Sequence, residues 1–347
     1  MLENLSTKAI VTKARTMYGR RLKKRDYDEL LRRTTVSEVA AYLKNFSRYS
    51  TILSSYNENT IHRGQLENLI RREEFEMYTR LCNFEHLHGQ NQFYDYILRR
   101  MEIEQILYCI MLLNANRSEE YITSLPSFLI NRASFDLIEL AKVQNYSELL
   151  NVLSSTPYAK VLKEFERPGN ELIDYTTCEV ALYAYYYDQL LKSVQKGFYG
   201  KVRKQLDSCI RMSIDLANIT RVYRFRILFD EDEEYIKERL IPFSGSLRPK
   251  KLDMLISTDN IDDFFKHFSN ISYSKKHDIK KNDFIERETH RVIFDTFKKL
   301  IVFSTDAPIV FYSLFKIFDI EVENLTNIIE GIRYEIPPDE IERLLIY

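Results

Sequence analysis

Few residues of this sequence have the types and spacing that chemistry requires. His86 and His88 are one residue apart and could form half of a metal site, but no cysteine-rich or carboxylate-rich segment lies near them. Gly197 and Gly200 are the only closely spaced glycines, and the phosphate-binding pattern GxxxxGK[ST] is absent. No Ser/His/Asp or Cys/His arrangement follows from the spacing. We therefore predict no catalytic residue, no cofactor and no metal ion.

Three aspartates are the basis of the one alternative in which the protein is an enzyme. Asp259, Asp262 and Asp263 are similar to the aspartate-rich magnesium site of helical prenyl-transfer enzymes, which would make the chain a metal-dependent enzyme. The start of a helix explains them better, because negative charge is favoured at a helix N-terminus. Magnesium binding that Asp262→Asn abolishes would favour the enzyme.

Three amides are candidates for a contact site instead of a catalytic one. Gln105, Asn218 and Asn324 each fall on the apolar face of a predicted helix. An unpaired buried amide costs about 1–3 kcal/mol, so one interpretation is an amide bonded to a neighbouring helix. The other is that the three helices line a shared central cavity, and we keep these residues as candidate cavity-lining residues.

A basic run near the N-terminus is the second candidate contact. Arg20, Arg21, Lys23 and Lys24 belong to the segment RRLKKR and could contact an acidic partner or acidic lipid headgroups. The alternative is a solvated helix end. We predict a partner contact for these four residues.

The elements that position these residues follow from an internal repeat. In each copy a capping residue precedes an anchor, an acid follows the anchor two positions later, and a tyrosine closes the copy. A cap and an acid at that spacing are typical of a helix N-terminus. The anchors are Val36, Tyr146 and Ile261, and the copies are Asp28–Tyr49, Glu139–Tyr158 and Met254–Tyr273.

The repeat divides the chain into three similar units, for which we predict the boundaries 1–118, 119–241 and 242–347. Apolar residues at helical spacing predict two long helices in each unit, and no stretch shows the sustained alternation of a strand. The predicted fold is therefore all-α. The long helices are expected at Gly64–Glu85, Asn91–Arg117, Leu172–Gln195, Lys201–Phe229, Asp283–Phe303 and Ala307–Arg333.

Composition excludes several classes of protein. Lysine and arginine number 50 against 51 aspartates and glutamates, so the strong basic excess of a general nucleic-acid binder is missing. The four cysteines are far apart, as expected for small core residues in a reducing compartment. The longest uncharged run, Gln105–Asn116, is much shorter than the ~20 residues of a membrane-spanning helix. We predict attachment to a membrane only through a partner.

Three stretches resemble one known family, the C subunit of bacterial and archaeal V/A-type rotary ATPases, whose counterpart in the eukaryotic vacuolar enzyme is called d. They are KARTMYGRRL (Lys13–Leu22), LLRRTTVSEVAAYLKNFSRY (Leu30–Tyr49) and NLTNIIEGIRYEIPPDEIERLL (Asn324–Leu345). The resemblance covers the whole length and matches the shorter prokaryotic form, which lacks a long extra segment between units.

The resemblance implies a funnel of three helical domains with pseudo-threefold symmetry and no active site. Such a protein lies on the cytoplasmic face of the proteolipid (c/K) ring, receives the foot of the central stalk, and couples the two for proton or sodium transport. The implied partners are the ring, the stalk and other ATPase subunits. The alternative is a soluble helical scaffold that docks partner helices in another assembly.

Overall fold

The structure is a computed structural model that describes residues 2–84, 92–167, 172–279 and 284–347, with side chains from Lys8 onward except that of Phe84. All regular elements of these residues are helical. The predicted all-α fold class is therefore confirmed. The histidines His86 and His88 lie outside the described residues.

The first third of the chain joins an amphipathic N-terminal helix to three short helices and two long ones. The second long helix is shorter than predicted, because a 3₁₀ turn at Gln92–Asp95 precedes it. The helices are α1 (Leu2–Gly19), α2 (Lys24–Leu30), α3 (Val36–Phe46), α4 (Ser50–Leu53), α5 (Arg63–Phe84) and α6 (Tyr96–Asn114).

The middle third has four short helices followed by two long ones. Its first long helix begins at Tyr175 because the Asp174 side chain caps it, accepting from the backbone N–H of Thr177 at 3.0 Å. Its second long helix starts at Gly200, whose φ of 55° makes the tight turn, and passes into a π-helical turn at Arg224–Leu228. The helices are α7 (Tyr121–Ser124), α8 (Leu137–Leu140), α9 (Tyr146–Val152), α10 (Pro157–Leu162), α11 (Tyr175–Gly197) and α12 (Gly200–Tyr223).

The last third contains the longest helix that the structure describes, which has 27 residues and spans about 40 Å. The proline at its second position lacks the N–H that would be unsatisfied there in any case. The helices are α13 (Glu233–Glu238), α14 (Pro249–Ile256), α15 (Ile261–Ser269), α16 (Ile285–Phe303), α17 (Ala307–Arg333) and α18 (Pro338–Glu342).

The three anchors of the repeat begin helices α3, α9 and α15, as predicted. The preceding residue caps each helix by accepting from the backbone N–H three positions later. The donor–acceptor distances are 3.2 Å for Thr35, 3.0 Å for Asn145 and 2.9 Å for Asn260. One local signal therefore starts the same element three times.

The hydrophobic core forms two clusters. The larger one contains residues from Ile10 to Ile346 and joins the long helices of all three thirds. The smaller one packs residues Leu22–Ile70 of the first third against Val322–Leu345 of the last. The beginning and the end of the chain are therefore in direct contact. The unit boundaries after 118 and 241 stay predictions.

Candidate functional site

A buried carboxylate on the second long helix of each third holds the next copy of the repeated motif. We call these contacts the Glu102, Asp215 and Glu321 joints, after the acids on α6, α12 and α17. All three acids are buried. Each acid accepts a hydrogen bond from a backbone N–H in the segment before the next copy. Each also interacts with the tyrosine that closes that copy.

The first two joints connect neighbouring parts of the sequence. Glu102 accepts from the backbone N–H of Ser134 at 2.5 Å and from the hydroxyl of Tyr158 at 2.6 Å. Asp215 accepts from the backbone N–H groups of Gly245 and Leu247, both at 2.9 Å. Burial, followed by the Asp215 charge, raises the pKa of the closing tyrosine of the third copy, Tyr273.

The third joint connects the end of the chain to its beginning. Glu321 accepts from the backbone N–H of Leu22 at 2.7 Å and from the hydroxyl of Tyr49 at 2.9 Å. The guanidinium of Arg48, which is also buried, lies 2.8 Å from the same carboxylate. Among the described contacts of the three joints, only this one includes a cation. It connects the last third of the chain to the first, as the other two joints connect the first to the second and the second to the third.

The predicted amides lie three residues after the joint acids. Asn218 donates to the carbonyl of Ile241 at 2.7 Å and accepts from the Ile241 N–H at 2.9 Å. Asn324 makes the same pair with Ile346, at 2.6 and 3.1 Å. Gln105 differs, because its side-chain oxygen accepts from the hydroxyl of Tyr121 at 2.9 Å.

This geometry corresponds to the first interpretation of the amides, since Asn218 and Asn324 are buried and bonded to a neighbouring segment. None of the three lines the main cleft that the described residues form. Their role in lining a central cavity stays a prediction that this burial does not support. The joint acids were not predicted, although an acid three residues before each amide was visible in the sequence.

A charged cluster lies between the long helices, close to the joints. We call it the hub, and it consists of Glu74 of α5, Arg100 of α6, and Lys316 and Asp319 of α17. Arg100 contacts Asp319 and lies 3.0 Å from Glu74, while Lys316 lies 3.4 Å from Asp319. The hub therefore holds two cations and two carboxyl groups in a largely buried site.

The two carboxyl groups of the hub titrate differently because they share Arg100. Burial and the neighbouring Asp319 charge outweigh Arg100 and raise the pKa of Glu74 to about 8. Burial opposes the charge of Asp319 as well, but Arg100 and Lys316 outweigh it and hold the pKa of Asp319 below its usual range. Two carboxyls that share one arginine resolve their repulsion when one of them keeps its proton.

The predicted basic contact residues separate into two environments. Arg20, Arg21 and Lys23 line a cleft of about 890 Å³ between α1, α5 and the end of α3. Lys24 is outside that lining and pairs with Asp28 at 3.0 Å and Glu342 at 3.6 Å. A partner contact for all four stays a prediction, and Lys24 is already engaged by the chain's own residues.

The described residues contain no group of three or more histidines, cysteines, aspartates or glutamates that could hold a metal ion. Asp259 pairs with Arg226, and Asp263 accepts from the side chain of Asn260 at 3.0 Å. These partners explain the aspartates as parts of a helix start. Within the described ranges, no helix has the length and apolar character needed to cross a membrane.

Comparisons with known proteins place this all-helical architecture in one class of ATPase components. The family model described as ATP synthase (C/AC39) subunit matches residues 10–344. The chain therefore belongs to that family.

The chain is similar to several proteins named as the C subunit of an A-type ATP synthase. It is 25% identical to that of Methanosphaera stadtmanae over 266 residues, which are 75% of this chain and 65% of the relative. It is 27% identical to that of Archaeoglobus fulgidus over 208 residues, 59% of this chain and 57% of the relative. For Methanosarcina acetivorans the identity is 30% over 130 residues, 38% and 34% of the two chains. The matched region thus spans less than two thirds of each relative.

Proposed function

We propose that this chain is a non-catalytic subunit of the central rotor of a V/A-type ATPase. It would lie on the cytoplasmic face of the membrane, couple the central stalk to the proteolipid ring, and carry torque between them. The family places the chain among the subunits of such an enzyme. Proton or sodium ions would move through other subunits.

The Glu321 joint is the observation that carries the rotor role. An adaptor that carries torque must keep its parts together. In an open row of helical units the first and last units are not fastened to each other, so they would separate most easily. Leu22, Arg48 and Tyr49 all hold Glu321, so the first copy of the motif is fastened to the last long helix. Together with the other two joints this supports a stiff closed body with pseudo-threefold symmetry.

Cross-linking in the assembled complex tests the role. Tyr199, between α11 and α12, and Phe303, at the end of α16, are strongly exposed and can be replaced by cysteines that carry a photoactivatable cross-linker. The four native cysteines are buried and free, so they should react slowly. Single-molecule recordings then report ATP-driven rotation of complexes whose cross-linked partner has been identified.

A rotor subunit predicts opposite effects for different partners. Cross-links to the central stalk or the proteolipid ring should leave rotation intact, because the linked parts move together. Cross-links to a stationary peripheral subunit should stop it. The reverse pattern would assign the chain to the stator, and complexes treated without light serve as the control for chemical modification alone.

A further inference from the structure

A cleft of about 890 Å³ among the described residues is strongly basic. We call it the basic cleft; one wall is the outer face of α1, and the other comes from α5 and the segment between α3 and α4. Eight lysines and arginines line it against two acids. The lining cations are Lys8, Lys13, Arg20, Arg21, Lys23, Arg25, Arg48 and Arg80, and the acids are Asp26 and Glu73.

Some of these cations form ion pairs with acids of the chain, and others do not. Arg48 belongs to the Glu321 joint, and Arg80 lies 2.8 Å from Glu73. Lys8, Arg20 and Lys23 are exposed and form no ion pair with the described residues. A chain with almost balanced charge thus concentrates unneutralised positive charge in one concave place.

The cleft also has an apolar contact point. Phe46, at the end of α3, is 71% exposed, although the same helix buries Val39, Ala40 and Leu43. Along the wall formed by α1, Thr12 and Thr16 lie between Lys8 and Arg20, and their hydroxyls donate to the helix's own carbonyls at 2.9 Å. This wall therefore has small side chains at Thr12 and Thr16, and its positive charge is at Lys8, Lys13 and Arg20.

We propose that the basic cleft binds an amphipathic helix of a partner protein that carries glutamates or aspartates beside an apolar stripe. Lys8 and Arg20 are about 18 Å apart along α1, so the cations are distributed over a length instead of converging on one point. That spread suits a helix with several acids better than a single phosphate. A flat membrane surface cannot enter a concave cleft, whereas an amphipathic helix lies in a groove.

The size of the cleft agrees with this occupant. One turn of helix is 5.4 Å long and about 10 Å wide, which corresponds to roughly 420 Å³. A cleft of about 890 Å³ therefore holds about two turns of such a helix, and the rest of the helix would extend past its open ends. Phe46 at the mouth would contact the apolar stripe, and the cations would pair with the acids along its sides. The proposal does not depend on the rotor role, because it concerns binding by the isolated chain.

A designed peptide tests the cleft directly. The probe is a fluorescein-labelled helix of about 14 residues, with leucine at positions i, i+3, i+4 and i+7 and glutamate elsewhere. Two control peptides carry lysine in place of glutamate or the same residues in scrambled order. Fluorescence anisotropy with the purified full chain gives the Kd at low and at high salt.

Matched variants separate the cleft from general charge effects. The cleft variant is Lys8→Glu/Arg20→Glu/Lys23→Glu, and the control variant Lys201→Glu/Arg203→Glu/Lys204→Glu makes the same charge change on exposed residues of α12. The cleft variant should weaken binding ~10-fold or more, and the control less than ~2-fold. Phe46→Ser should weaken it several-fold, unlike Phe229→Ser, which changes another exposed phenylalanine.

Three outcomes would overturn the proposal. The first is an equal loss in the cleft and control variants, or equal binding of the scrambled peptide. The second is no binding of the acidic peptide at low salt; cosedimentation on phosphatidylglycerol vesicles that the cleft variant loses would then indicate a lipid surface. The third is displacement of the peptide by millimolar pyrophosphate at constant ionic strength, which would indicate a small anion. Circular dichroism confirms that each variant is folded.

Discussion

The joints and the hub use positions two residues apart on α6 and α17, yet the joint recurs on α12 and the hub does not. The joint acids, Glu102, Asp215 and Glu321, are chemically equivalent. Two residues before them stand Arg100, Ser213 and Asp319, which differ completely. Arg100 and Asp319 pair with each other, and Ser213 donates to its own helix at 3.1 Å.

The difference follows from what each position contacts. A joint acid faces backbone N–H groups and a tyrosine of the next copy, and the same chemistry serves three times. The hub positions of α6 and α17 face each other, so a repeated arginine or aspartate there would place like charges in a buried site. The same residue types thus recur where a long helix contacts the next copy of the motif. They differ where α6 and α17 contact each other.

The largest expected effect is at the hub, where Arg100 contacts both Asp319 and Glu74 inside the protein. Arg100→Met should lower the free energy of unfolding by about 3–5 kcal/mol, because Glu74 and Asp319 lose their shared cation. Arg71→Met, which breaks the half-exposed pair with Glu104, should cost below ~1 kcal/mol and is the matched control. Urea unfolding followed by circular dichroism measures both. Equal losses in the two variants would show that the hub is no more than a surface ion pair.

The helix starts could be predicted from sequence because their signals are local. Thr35 and Glu38 are neighbours on the chain, and the cap and acid of the other copies have the same spacing. The fold class followed from the same local patterns. The predicted ends of the long helices were less accurate. The 3₁₀ turn at Gln92–Asp95 and the π-helical turn at Arg224–Leu228 have no clear signal in the sequence.

The joints could be predicted only in part, because the groups that contact each joint acid are far from it in the sequence. The acid and the amide three residues later recur on the second long helix of each third, and this pattern could be read from the sequence. The partner of Glu321 was not, since Leu22 is 299 positions away in sequence. Lys24 shows the same limit: it was expected to face a partner, but its ammonium pairs with Asp28 and Glu342.

A joint without a cation should have an intermediate effect. Asp215→Asn replaces an acceptor oxygen by a donor that faces the N–H groups of Gly245 and Leu247, so one of them loses its partner. The expected loss in the free energy of unfolding is about 1–3 kcal/mol. Asp207→Asn, on the same helix but paired with Arg211 at a partly exposed site, should be close to neutral. A loss as large as that of Arg100→Met would remove the distinction between joint and hub.

The smallest expected effect, counted per pH unit, is the pH dependence that Glu74 gives to the stability of the protein. The pKa of Glu74 is about 8 in the folded protein, against an ordinary value of 4.5. Between these values the unfolded chain has released this proton while the folded protein keeps it. The unfolded state therefore binds fewer protons, and rising pH lowers stability from about pH 4.5 until the folded group has titrated near pH 8.

Glu74→Gln removes this dependence, since a glutamine amide donates toward Asp319 as the protonated acid does. The variant and the wild type should be similarly stable near pH 5. Its advantage should then grow by about 1 kcal/mol per pH unit toward pH 8, below the limit of ~1.4 kcal/mol per pH unit because the proton is shared with Asp319. Thermal melts across pH 5–9 measure it, with Glu76→Gln, a half-exposed i,i+4 partner of Arg72, as the control. A constant difference between pH 5 and 8 would mean that Glu74 is ionised throughout, and the hub would then hold two full carboxylate charges on one arginine and one lysine.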